Sequence, residues 1–278
     1  MGRLPRVDDS YMLCMPGPAR HNPPACSRAL YRFGADTGLA TAVILGGYAV
    51  LAGADPGHAL LWGAVVWFMY LADRLSGGDE DVVVRWPTSR PGAAWLVLGT
   101  LAGVVAAGVW VYPDVLWGVV GLVLVGLTYF VPVPILGRAK EIPGGKAVFV
   151  TTSLSLGLPL VAGTPWGLET VVVWLLLFAN ASIYDVRDLQ HDRAAGVRTL
   201  AVLLSRRSHT AVLSIVLLAS ALGAAMVGGA VLAAMIPIVV MHLAATLWLE
   251  KRDFTAMMGP GLDGGTALII VAQLSALG

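Results

Sequence analysis

The chain has 278 residues, 57% hydrophobic and 13% charged, with a mean hydropathy of +0.78 and a net charge of +1. A soluble domain carries roughly 45–50% apolar and about 25% charged residues, so this composition points to a surface that largely faces lipid. The near-neutral charge, with no basic tract and no basic patch interleaved with aromatics, excludes a nucleic-acid footprint.

Residues 1–35 read as a cytoplasmic N-terminal tail with an interfacial segment, ahead of a membrane domain over 36–278. The tail has Pro16, Pro18, Pro23 and Pro24 and lacks the apolar core of a signal peptide, so the mature protein is expected to begin at or near Met1. Ser27 to Phe33, with Arg28 and Arg32, suits a short amphipathic helix on the membrane surface. Cys14 and Cys26 fit neither a disulfide framework nor a metal-site spacing, and are read as reduced thiols.

A bilayer core of about 30 Å needs about 20 apolar residues in a helix. Nine stretches meet or approach that length: 37–54, 58–75, 93–111, 115–133, 147–163, 167–185, 209–227, 229–248 and 262–278. Turn residues divide them at Asp55-Pro56-Gly57, Tyr112-Pro113-Asp114, Thr164 to Gly167 and Gly228-Gly229. Backbone groups in lipid must be hydrogen-bonded within their own segment, which predicts helices. The expected fold class is therefore all-α, an integral membrane bundle of about nine transmembrane helices. Trp62, Trp86, Trp110, Tyr112, Trp117 and Trp166 lie near span ends, where they are read as interfacial anchors.

Tracing the chain through nine spans puts the N-terminus and the loops at 76–92, 134–146, 186–208 and 249–261 on one side. All 18 Lys and Arg residues fall on that side, with 14 of the 17 acids. The positive-inside rule makes it cytoplasmic and leaves the C-terminus on the opposite side of the membrane, taken as the cell inner membrane.

Two acidic clusters lie at cytoplasmic helix ends, where carboxylates need a cation. The first runs from Tyr70 through Asp73 and Arg74 to Gly77-Gly78 and Asp79-Glu80-Asp81; the glycines should end the helix, leaving the last three acids on a loop. The second runs from Asn180 to Arg193. Its Asp185, Asp188 and Asp192 have the spacing of one helix face, with the last two ~6 Å apart along the axis. Such carboxylates repel unless a cation lies between them, and Mg²⁺ takes one or two carboxylates plus phosphate oxygens. A solvated helix end with local ion pairs, such as Asp188 with Arg187 or Arg193, accounts equally well for the spacing. Arg138, Lys140 and Lys146 after the fourth span, and Arg198 after the second cluster, supply cations on the same side. Together with a carboxylate-held metal they would clamp a departing diphosphate.

The stretch Asp185-Val-Arg-Asp188-Leu-Gln-His-Asp192-Arg-Ala-Ala-Gly196-Val-Arg198-Thr199-Leu200 resembles the second aspartate motif of the UbiA superfamily of intramembrane prenyltransferases, an Asp-x3-Asp pair followed by Gly and Thr-Leu. Tyr129 to Lys146 is similar to that family's segment between helices four and five. The first motif departs from the family's Asn-x3-Asp-x3-Asp, with Met69 and Gly77 flanking Asp73 where Asn and Asp are usual. Asp79, Glu80 or Asp81 is a candidate replacement on the loop.

The resemblance implies a helical bundle around a lipid-accessible apolar cavity, with an isoprenyl diphosphate bound tail-in. Mg²⁺ would be held by Asp73, Asp185, Asp188 and Asp192, and Arg74, Arg138, Lys146 and Arg198 would bind the diphosphate. Asp73, Asp188 and Asp192 would be catalytic, with Tyr70, Tyr184 or Tyr129 stabilising the allylic cation. Transfer to an aromatic or quinone-like acceptor is the first expectation, and a UbiA-type terpene cyclase the alternative. A non-catalytic lipid-binding protein or transporter is the third reading. It would place ionisable residues at mid-membrane depth, whereas both clusters here are expected at helix ends.

Overall fold

Long apolar runs punctuated by glycine, proline and aspartate dictate helices joined by tight turns, and the computed structural model shows them. It describes residues 37–75, 91–130, 142–194, 196–252 and 258–277, which contain no strand. Nine long helices follow in order: α1 (Thr37–Leu51), α2 (Pro56–Leu75), α3 (Pro91–Val111), α4 (Leu116–Phe130), α5 (Gly145–Leu160), α6 (Leu168–Arg187), α7 (Arg206–Val227), α8 (Gly229–Lys251) and α9 (Met258–Leu277). Two short helices, Leu189–Ala194 and Leu200–Leu203, lie between α6 and α7, and a 3-10 turn, Pro113–Val115, lies between α3 and α4.

Local chemistry sets the boundaries. The Ser205 hydroxyl accepts the Ser208 N–H at 3.2 Å and so caps the start of α7. Gly228 and Gly229 have φ of 77° and 55°, a left-handed pair that reverses the chain between α7 and α8. Asp55 accepts the N–H groups of Gly57 and His58 at 2.8 and 3.3 Å, which opens α2.

Neighbours in sequence pack side by side, and α9 returns to pack on α1, so the helices form a ring. The α3–α4 step is the exception: the two turn by 112° at their break and meet through the 3-10 turn. Large residues including Leu45, Tyr48, Leu158, Leu217, Met235 and Ile238 fill the shared core. Trp62, expected at the membrane interface, is fully buried there. Gly157 makes this possible, because a Cβ at that position would lie 2.1 Å from the indole. Trp110, Trp117 and Trp166 are 87%, 78% and 65% exposed, as lipid- or interface-facing rings would be.

Among the described residues α6, α7 and α8 are long and apolar enough to cross a membrane, and α3 with α4 makes a fourth if counted as one broken span. The apolar parts of α1, α2 and α9 are shorter. The chain is an integral membrane protein, all-helical with nine long helices among the described residues. The tail 1–35, Trp86 and the loop acids Asp79, Glu80 and Asp81 lie outside the described residues.

Candidate active site

Helix α6 carries the second acidic cluster and is tied to its neighbours along its length. Tyr48 Oη donates to the Glu169 carbonyl at 3.1 Å, Ser220 Oγ to the Val172 carbonyl at 3.0 Å, and Trp174 Nε1 to Thr152 Oγ1 at 2.9 Å. Its apolar face, including Val172, Leu176, Ala179 and Ile183, is buried. The three aspartates do not share one continuous helix as their spacing suggested. Helix α6 ends at Arg187, and Asp188, with φ −91° and ψ 4°, is its C-cap. A new turn then starts at Leu189, joined by the Asp192 N–H to the Asp188 carbonyl at 2.8 Å.

The residues after the aspartates close this turn. Gly196 takes φ 72°, which lets the Val197 N–H reach the Asp192 carbonyl at 2.8 Å. Thr199 caps the next short helix by accepting the Val202 N–H at 3.4 Å. The Arg198 carbonyl accepts the Gly144 N–H at 2.7 Å, and this bond docks the start of α5, with Lys146, against the acids.

Lys146 Nζ thus lies among all three carboxylates. It is 3.2 Å from Asp192 Oδ1, 3.6 Å from Asp185 Oδ1 and 3.9 Å from Asp188 Oδ2. Asp192 and Asp185 are buried, at 0% and 3% exposure. Burial would lower the Lys146 pKa, but the carboxylates of Asp185, Asp192 and Asp188 outweigh it and hold the ammonium above its ordinary range. Arg187 grips Asp188 with Nε to Oδ1 at 2.7 Å and Nη2 to Oδ2 at 3.0 Å, so the local ion pair weighed from the sequence also forms. Among the described residues no three carboxylate, imidazole or thiol side chains stand ready to hold a metal ion by themselves; the cation at this centre is the ammonium. Asp185 Oδ2 is nevertheless buried with no hydrogen-bond partner, and the donors are hard oxygens. The residues therefore fit Mg²⁺ in kind.

Of the other expected site residues, Tyr70 is half-buried and lies within electrostatic range of Tyr184. The Arg187 guanidinium sits 5.1 Å over the Tyr184 ring, so one ring face already serves a cation of this chain. Arg198 is exposed, and its described role is the backbone bond to Gly144. Asp73 and Arg74 stand in the last turn of α2 and Tyr129 in the last turn of α4. The side chains of these three, and the whole of Arg138 and Lys140, lie outside what the structure describes.

Sequence reasoning missed a second polar group below this cluster. Tyr184 Oη donates to Asp263 Oδ2 at 2.5 Å, and Asn180 bridges Asp263 and His242. The signal was present: Asp263 is the only ionisable residue of stretch 262–278, and His242 that of 229–248. Ionisable residues inside membrane segments mark function by default. Unlike the acidic clusters, His242 is buried in the interior of a helix, α8.

No family model and no curated protein matches the sequence. Solved structures do. A UbiA homologue from Aeropyrum pernix K1 shares 18% identity over 86% of this chain and 96% of its own, with a TM-score of 0.60. One from Archaeoglobus fulgidus, bound to GPP and Mg²⁺, shares 16% identity over 89% and 98%, with a TM-score of 0.61. The fold is that of the UbiA homologues. A digeranylgeranylglyceryl phosphate synthase matches it at 13% identity over 90% and 96%, with a TM-score of 0.52. These likenesses cover the UbiA fold from end to end, with sequence identities low enough that it is the arrangement of helices they share.

Proposed function

We propose that this chain is a Mg²⁺-dependent intramembrane enzyme that ionises an isoprenyl diphosphate and transfers the prenyl group to an aromatic or quinone-like acceptor. The observation that carries this is the convergence of Asp185, Asp188 and Asp192 on Lys146 at the end of α6. It occurs in a fold whose A. fulgidus representatives are bound to GPP and Mg²⁺ or to DMAPP and Mg²⁺.

Mg²⁺, when bound, would neutralise charge on the diphosphate oxygens as the carbon–oxygen bond breaks. Asp185, Asp188 and Asp192 would hold it, with Asp73 from α2. Lys146, relieved of the carboxylates, would turn its ammonium to the diphosphate, and Arg74, Arg138 and Arg198 are placed in sequence to assist. The prenyl tail would lie in the apolar interior, where water is scarce and the allylic cation survives long enough to be captured. Tyr70, half-buried and within electrostatic range of Tyr184, would offer a ring to that cation.

Intramolecular capture, as in a terpene cyclase, is the second reading. It is favoured by the first motif, where Met69 and Gly77 stand in place of the usual Asn and Asp. Incubating purified protein with Mg²⁺ and allylic diphosphates of several lengths, with and without an aromatic acceptor, separates the two. Prenylated acceptor supports transfer, and cyclic hydrocarbon without acceptor supports cyclisation. Neither product at any chain length would sink both.

A further inference from the structure

A line of polar side chains crosses the interior just below the acid cluster. Tyr184 and Asn180 come from α6, His242 from α8 and Asp263 from α9. Asp263 and His242 are 3% and 2% exposed. His242 Nδ1 is 2.9 Å from the Ile238 carbonyl and its Nε2 is 3.2 Å from Asn180 Oδ1; Asn180 Nδ2 is 3.4 Å from Asp263 Oδ1.

Counting hydrogens restricts this line. Nδ1 faces a carbonyl and must carry a hydrogen. With Asn180 Oδ1 toward the ring, Nε2 must carry one too, so His242 is an imidazolium and Asp263 the balancing carboxylate. Turning the amide over exchanges its oxygen and nitrogen with little change of shape. Asn180 then donates to a neutral His242, and its oxygen faces Asp263 Oδ1, which must carry the proton. The two arrangements have equal total charge and differ by one proton moved between His242 and Asp263. At this total charge, other assignments set acceptor against acceptor in a buried place, which is costly.

The depth suits the chemistry. Asn180 precedes Asp185 by five residues, about 7–8 Å along a helix. If the diphosphate binds at the acid cluster, the allylic carbon bonded to it lies at this level. Capture of the cation by an acceptor A–H uses the A–H bond pair to form the new carbon bond and releases a proton. Intramolecular capture ends likewise, with a C–H pair becoming the alkene and a proton leaving. In a dry interior that proton needs a base.

The geometry points to Asp263 as that base, with Asn180 and His242 holding the shared proton that keeps it ready; this rests on the reading that the chain ionises an isoprenyl diphosphate. With the shared proton on His242, Asp263 is a deprotonated carboxylate that accepts from Tyr184 Oη and Asn180 Nδ2. It takes the released proton, and the network gains one positive charge beside the departing diphosphate anion.

The test measures diphosphate release and prenyl product separately, in wild type, Asp263→Asn and His242→Gln, in lipid nanodiscs with Mg²⁺. In Asp263→Asn normal product should fall about 100-fold, in the range of general-base catalysis. Release should fall much less, with water taking the cation to prenyl alcohol. Equal loss of both, or retention of normal product, overturns the base. Histidine ¹⁵N NMR gives a readout that needs no turnover. Asp263→Asn should change the protonation of the resonance that His242→Gln removes, and an unchanged resonance overturns the shared proton. If wild type releases no diphosphate, the reading of the reaction fails, while the resonance still decides the network.

Discussion

Replacing Lys146 by methionine removes the cation at the centre of the acid cluster while keeping a side chain of similar reach. The ammonium lies 3.2 to 3.9 Å from three carboxylates, two of them buried, and the second oxygen of Asp185, Oδ2, is buried with no hydrogen-bond partner. Removing one partner of a buried ion pair costs about 3–5 kcal/mol, because the remaining charge is left uncompensated. At about 2–4 °C per kcal/mol for chains of roughly this size, Lys146→Met should melt about 6–20 °C below wild type in metal-free buffer. Mg²⁺ can supply the missing charge, and binding that favours the folded state stabilises by about 2.7 kcal/mol at a hundred times the dissociation constant. Titrating Mg²⁺ against melting temperature in detergent or nanodiscs should therefore recover much of the loss in the variant and move the wild type far less. A variant as stable as wild type without metal, and indifferent to Mg²⁺, would refute the view that the carboxylates depend on a cation.

Three other outcomes are expected. Asp188→Ala and Asp192→Ala should abolish Mg²⁺-dependent diphosphate release; activity surviving in both removes the acid cluster from the chemistry. The raised pKa of Lys146 means its stabilisation is fully present below the ordinary lysine value of 10.5 and is lost only as pH rises through the higher folded value. The melting gap between wild type and Lys146→Met should thus hold from about pH 7 to about pH 9, and a gap closing within that window contradicts the assignment. Gly157→Ala would set a Cβ 2.1 Å from the buried Trp62 ring, an overpacking expected to cost about 1–3 kcal/mol in thermal unfolding, whereas an unchanged melting curve would mean the indole is not held there.

The helices were legible because lipid leaves few options: apolar runs had to be helical, and Gly228-Gly229 or Asp55-Pro56-Gly57 had to be turns. The pairing of Asp188 and Asp192 with Gly196 and Thr199-Leu200 was legible as a motif. Its physical meaning, a left-handed turn and a cap that fold the chain back on Asp192, is a property of the folded backbone. Period alone could not show that α6 stops at Arg187, since the Asp188–Asp192 spacing survives the break. Lys146 looked like one cation among several because nothing local reveals the Gly144–Arg198 backbone bond that brings it to the acids. Asp263, Asn180 and His242 lie on three helices and meet only in the tertiary structure. Trp62 looked interfacial by its position near a span end, but the slot at Gly157, 95 residues later, takes it into the core.

The central claim is that an isoprenyl diphosphate docks where Lys146 meets Asp185, Asp188 and Asp192. Equilibrium binding of a non-ionisable thio-analogue of an allylic diphosphate to the wild-type protein, with Mg²⁺ and with EDTA, tests it without relying on turnover. Saturable binding that requires Mg²⁺ and disappears in Asp192→Ala is the predicted result. Binding that is indifferent to both EDTA and Asp192→Ala, or no binding at all, would contradict it.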